Sequence, residues 1–208
     1  MKSQRGRNDV PPEKGLCAVL LVDVINDLEF DGGEDLLPHA LPAMRRLAKL
    51  VQRARAAHVP VIYANDNFGH WRSDFQAIVR HCLDEDVRGR PIAQLLAPEH
   101  SDYFVLKPKH SAFFSTALDT LLQSLGTKRL VLAGLATDIC VLFTAHGAHM
   151  REYELFVPGD CTASESKASN KWALDHMRRF LRVDTRPAAK IDLRSLSRVR
   201  PARSKKKA

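Results

Sequence analysis

The 208-residue chain has no long hydrophobic run: its longest, LCAVLLV and LVLAGLA, fall well short of the roughly 20 residues that a membrane-spanning helix needs. No apolar core of a secretion leader appears in MKSQRGRNDVPPEK, so the expected location is cytoplasmic and no membrane partner is expected. Cysteine is scarce. Cys17, Cys82, Cys140 and Cys161 are scattered, without CxxC or paired Cys/His spacing, which argues against a disulfide framework and a structural zinc site. Any thiol chemistry must rest on one residue. No internal repeat is evident.

A basic surface is missing too, although the formal net charge is +8. Residues 186–208 carry nine Lys/Arg against one acidic residue, and residues 1–14 carry four against two, which leaves the body at −2. The expected organisation is a flexible segment over 1–14, one domain over 15–185 and a basic, solvated tail over 186–208. Nucleic acid is not an expected partner beyond weak, salt-sensitive contact through that tail.

What is present is alternation. CAVLLVD (17–23), VPVIYAN (59–65), YFVLK (103–107), RLVLAGL (129–135) and ELFVPGD (154–160) read as short buried strands. Segments 37–58, 74–83, 115–126, 138–152 and 169–181 carry apolar residues at helical spacing, the third with Ser115 or Thr116 as N-cap and Gly126 as its stop. The pattern predicts a three-layer α/β/α domain with a central parallel sheet.

In such a sheet, ligands bind beyond the carboxyl ends of the strands. Three chemically capable residues end strands there: Asp23, Lys107 and, a few residues past its strand, Cys140. Each alone has an ordinary structural explanation as a loop opener, a surface charge or a small buried hydrophobe. Their shared topological position favours a site. A thiol near a helix N-terminus is a nucleophile candidate, Asp23 a proton acceptor and Lys107 the cation that holds them. Lys109 is a weaker alternative because it lies past Pro108.

The segments LLVDVINDL, VLKPKHSAFFSTALDTLL and LVLAGLATDICVLFTAHGA, in this order and spacing, resemble the signature segments of the isochorismatase-like cysteine hydrolases. That superfamily includes nicotinamidases, carbamoylsarcosine amidases and ureidoacrylate amidases, and the similarity runs from about residue 16 to 185. The resemblance implies a triad of Asp23, Lys107 and Cys140, a cis peptide between Leu135 and Ala136, and an oxyanion hole from the N–H groups of Ala136 and Cys140. It also implies a small-molecule substrate, a homo-oligomer (dimer or tetramer) and hydrolysis of an amide, ureido or related C–N bond through an acyl intermediate on Cys140. Alternatives are an ester or vinyl-ether bond, or a catalytically silent binding protein.

Relatives of the nicotinamidase branch carry a metal-binding Asp-x-His. Here NDNFGHWRSDF places Phe68 two residues after Asp66, with His70 nearby, so neither a metal nor another cofactor is expected. Asn67, Phe68 and Trp71 are candidate pocket walls, with loop packing as the competing explanation; of Phe113 and Phe114, one is expected to face the site and the other to pack in the core, with Phe113 taken as the pocket wall. His146 and His149 share a helix face without a third ligand in view and are read as packing or surface residues; His110 is a weak supporting candidate.

Overall fold

The computed structural model describes residues 16–66 and 74–198. Its elements are β1 (Cys17–Val22), α1 (Gly33–Ala56), β2 (Val61–Asp66), α2 (Phe75–Asp84), α3 (Arg90–Leu95), β3 (Tyr103–Lys107), α4 (Leu118–Leu125), β4 (Arg129–Leu135), α5 (Leu142–His149), β5 (Glu154–Phe156), β6 (Thr162–Ala163), α6 (Lys167–Phe180) and α7 (Leu193–Ser197). A five-residue π-helical turn, Thr137–Val141, joins β4 to α5, and a short 3-10 turn, Ala188–Lys190, precedes α7.

The strands run parallel in the order β3-β2-β1-β4-β5, with β6 also pairing with β4. Because successive side chains of a strand point to opposite faces, β1 feeds two cores at once. Cys17, Val19 and Leu21 join the core beneath α1 and α2, while Ala18, Leu20 and Val22 join the core beneath α4, α5 and α6. Both faces of the sheet are therefore covered, which explains why β1 and β4 are buried along their whole length. On α1, Leu36, Ala40, Met44, Leu47, Leu50 and Ala54 recur every three or four residues and form its buried stripe. No helix among the described residues is long and apolar enough to cross a membrane.

The domain does not stop at Thr185. Ala188, Ile191, Leu193 and Leu196 are buried in the first core. Arg53 donates to the carbonyls of Ala188 and Ile191, and Arg129 Nη1 donates to those of Leu196 (2.6 Å) and Arg198 (3.1 Å). The basic-tail boundary at 186 is thus corrected to no earlier than Arg198. Four apolar residues diluted among lysines and arginines carry little weight in a charge count, yet they pack. The segments 1–15 and 199–208 lie outside the described residues.

Helix α4 starts at Leu118, later than the spacing predicts, with Ala117 at its N-cap. Ser115 has φ 53°, and the Thr116 hydroxyl accepts from Leu118 N at 3.1 Å, so both belong to the turn before the helix. Gly126, at φ 73°, ends the helix as expected.

Candidate active site

Strand order reverses at β1, whose neighbours β2 and β4 are reached by connections running in opposite directions, the point at whose carboxyl ends open α/β sheets bind their ligands. Asp23 leaves β1 there in the left-handed region, φ 50°, a conformation that Asp tolerates better than most residues. Its N–H donates to Ala64 O (3.0 Å), and Asn65 donates across the same gap to Ile25 O (2.5 Å), so the ends of β1 and β2 are tied together. At Gly134, φ 124°, an added Cβ would lie 2.1 Å from Val22 O; only glycine lets β4 run this close to the end of β1.

Lys107, the last residue of β3, is fully buried. Its Nζ lies 2.8 Å from Asp23 Oδ2, 3.3 Å from Asp66 Oδ2, 3.3 Å from Lys109 O and 3.6 Å from Cys140 Sγ. Asp66 is Lys107's register partner on β2, and its N–H donates to Asp23 Oδ1 at 2.7 Å. Lys109 thus contributes a backbone acceptor to Lys107. The three expected residues are together. Asp66 completes an ion cluster around the ammonium that sequence reasoning treated only as part of a metal motif; its position at the end of a predicted strand was the available signal.

Cys140 sits in the π-helical turn, where the carbonyl of Ala136 accepts from both Ile139 N (3.2 Å) and Val141 N (3.1 Å). The predicted α-helical start is replaced by this wider turn, a form that recurs at functional sites. Two side chains brace it: Thr137 Oγ1 donates to Asn170 Oδ1 (2.5 Å), and Ser164 Oγ donates to Asp138 Oδ1 (2.6 Å). His110 Nδ1 stands 3.8 Å from Cys140 Sγ, and its ring lies 5.5 Å from that of Phe143.

The expected cis peptide at Leu135–Ala136 is not found; no peptide among the described residues is cis. A trans bond avoids the roughly 3–4 kcal/mol that a non-proline cis bond costs. Phe113 also departs from expectation. Rather than facing the crevice it is buried in the second core, 6.1 Å from the Tyr153 ring and with the Arg151 guanidinium 4.7 Å above it. A large ring gains more from that packing than from solvent contact. The other pocket candidates, Asn67, Phe68 and Trp71, together with His70, lie outside the described residues. His146 faces His176, Nε2 to Nε2 at 3.2 Å, on the α5–α6 surface.

Electrostatics follow from burial. Loss of water raises the Asp23 carboxyl above its ordinary range, and Lys107 only partly opposes this. Burial works against the Lys107 charge, but Asp23, Cys140 and Asp66 together outweigh it and hold the ammonium charged. The Cys140 thiol is pushed up to about 12 by burial and by Asp23, with Lys107 pulling the other way. The resting group is therefore a thiol that shares the Lys107 ammonium with a carboxyl group of raised basicity.

The isochorismatase domain family matches residues 17–187. This chain belongs to the isochorismatase family. An uncharacterized isochorismatase family protein of Bacillus subtilis, YaaI, is 44% identical over 164 residues, covering 79% of this chain and 90% of that protein. The ureidoacrylate amidohydrolase RutB of Methylorubrum extorquens is 29% identical over 144 residues, 58% of this chain and only 57% of its own length. Among solved structures, the N-carbamoylsarcosine amidase of Thermoplasma acidophilum superposes with a TM-score of 0.62 at 25% identity, covering 85% of this chain and 98% of that one. The chain is thus an isochorismatase-family hydrolase with amidases among its relatives.

Proposed function

We propose that this hydrolase opens a small amide or ureido C–N bond through a covalent acyl intermediate on Cys140. The observation that carries the reading is one ammonium, sealed from solvent, that touches both a carboxylate at 2.8 Å and a thiol at 3.6 Å. In the first step Cys140 Sγ attacks the carbonyl carbon while its proton passes to Asp23. The C–N bond then breaks and the same proton leaves with the nitrogen. Water adds to the thioester, giving its proton to Asp23, and the carboxylic or carbamic acid departs as the thiol re-forms. Lys107 keeps the carboxylate placed through both half-reactions and lowers the cost of negative charge on sulfur. The N–H groups of Ala136 and Cys140 are the oxyanion donors in this reading.

A thiol at about 12 is a poor resting nucleophile, so the reaction depends on a base that takes the proton as the bond forms. A carboxyl raised by burial suits that task better than an ordinary one. Amidases among the relatives favour the C–N bond over the ester or vinyl ether.

A screen of small amides, ureides and nicotinamide for ammonia release tests this, run on the full chain and on Cys140→Ala. At least one compound is expected to be turned over by the former and none by the latter. Hydrolysis retained in Cys140→Ala, or turnover confined to esters or vinyl ethers, overturns the proposal.

A further inference from the structure

A cavity of about 460 Å³ opens between α1 and the β6–α6 corner, and none of Asp23, Lys107 and Cys140 lines it. Its walls supply hydrogen-bond donors and positive charge that the fold leaves unused. Thr162, in its wall, is 3% exposed, and its hydroxyl has no hydrogen-bond partner among the described residues. Asn170 uses its side-chain oxygen on Thr137, and no described residue accepts from its amide nitrogen. From α1 comes Arg46, whose guanidinium bonds only the Pro42 carbonyl of its own helix among the described residues; from the first turn of α6 comes Lys167, with no ion pair there. Asp160 is the acidic group in the wall, and one of its oxygens already accepts from Ala188 N at 2.8 Å.

The cavity also meets the N-terminus of the 14-residue α6, where Ser166 caps only Ser169 N. The remaining first-turn N–H groups and the helix dipole favour negative charge. Free donors, two cations against one carboxylate and a helix N-terminus specify a ligand that accepts hydrogen bonds and is anionic. Two of the walls are the same residues that brace the nucleophile turn: Asn170 holds Thr137, and Ser164 holds Asp138. Seating an anion against them bears on the turn that carries Cys140.

We propose that this cavity is a second ligand site, for a small oxyanion carrying a carboxylate or phosphate group, whose occupancy is transmitted to Cys140 through Thr137 and Asp138. The test uses the full chain at constant ionic strength, titrated separately with succinate and with inorganic phosphate and followed by calorimetry. Iodoacetamide labelling of Cys140 is timed with and without each anion; neither readout requires hydrolase turnover, so failure here is separate from failure of the amidase reading. At least one anion is expected to saturate, and the better of the two names the ligand class. The double substitution Arg46→Gln, Lys167→Gln is expected to weaken that binding at least tenfold. Saturating anion is expected to change Cys140 labelling at least twofold in the unaltered chain and not in the double variant. Absence of saturation with both anions, or affinity unchanged by the double substitution, overturns the site. Binding that leaves the labelling rate untouched upholds the site and overturns its coupling to Cys140.

Discussion

Two buried cations stand at opposite ends of the sheet. Arg129 opens β4 at the amino end, and Lys107 closes β3 at the carboxyl end. Both have been taken out of water at a cost that only good partners offset. Arg129 is satisfied by Glu154 at 2.9 Å and by two backbone carbonyls of the C-terminal segment, groups that have no reaction to perform. Lys107 is satisfied by two carboxylates, a carbonyl and a thiol, so any proton movement among its partners is felt by the others. The same physics fastens the chain at one end and, in the proposed reaction, prepares chemistry at the other.

If that contrast is right, the two cations fail differently when removed. Lys107→Met is expected to lower turnover by about 10²–10³-fold, the scale of losing one well-placed electrostatic group. It also removes the one influence that lowers the Cys140 thiol, so labelling of that cysteine slows at every pH. Steady-state kinetics and timed alkylation on folded variant check this; a variant that melts early yet retains full turnover per folded molecule would make Lys107 a second Arg129. Arg129→Met is expected to cost about 3 kcal/mol of stability, with turnover per folded molecule unchanged. Denaturant unfolding beside an activity titration decides it. Smallest of all, deleting residues 199–208 is expected to change stability by less than about 0.5 kcal/mol, because the deletion spares every carbonyl that Arg53 and Arg129 hold among the described residues and removes mostly charge. A clear fall in melting temperature on that deletion would show that the anchor extends further.

The acid side of the pH profile offers a further check. The Asp23 carboxyl is raised by burial, and only its ionised form can take the thiol proton. Activity should therefore fall, as pH drops, through a midpoint above the ordinary carboxylate value of about 3.9. A midpoint at or below that value in kcat/KM would remove Asp23 as the base.

The carboxyl end of the sheet was largely legible in the sequence, and the reason is local. A β-strand ends where its apolar run ends, so Tyr103–Lys107 and Arg129–Leu135 could be bounded to the residue. The same run ends put Asp23 and Lys107 at the carboxyl edge of the sheet from residue types alone. The π-helical turn was not legible, because its distinguishing bond, Val141 N to Ala136 O, leaves no mark on residue types. The two-residue β6 is too short for any period to show. The C-terminal anchor was hidden differently: Ala188, Ile191, Leu193 and Leu196 follow no single period, and their burial depends on arginines more than 60 residues away in sequence. The direction of the Cys140 shift was also open, since a neighbouring cation and a neighbouring carboxylate compete; burial decides it.

All four thiols are raised by burial, so acidity does not distinguish Cys140 from Cys17 and Cys82, each also pushed up to about 12, or from Cys161. Access does: Cys140 is half-buried, while the other three are sealed in the core. The central claim, a protonated resting nucleophile that Asp23 deprotonates during attack, is therefore tested most directly by iodoacetamide labelling with peptide mapping across pH. Cys140 is expected to label first, and its rate to climb about tenfold per pH unit up to at least pH 10 without levelling off, as a thiol near 12 requires. A plateau at or below pH 8.5, the mark of a pre-formed thiolate, or labelling no faster than that of the three core cysteines, would contradict the account.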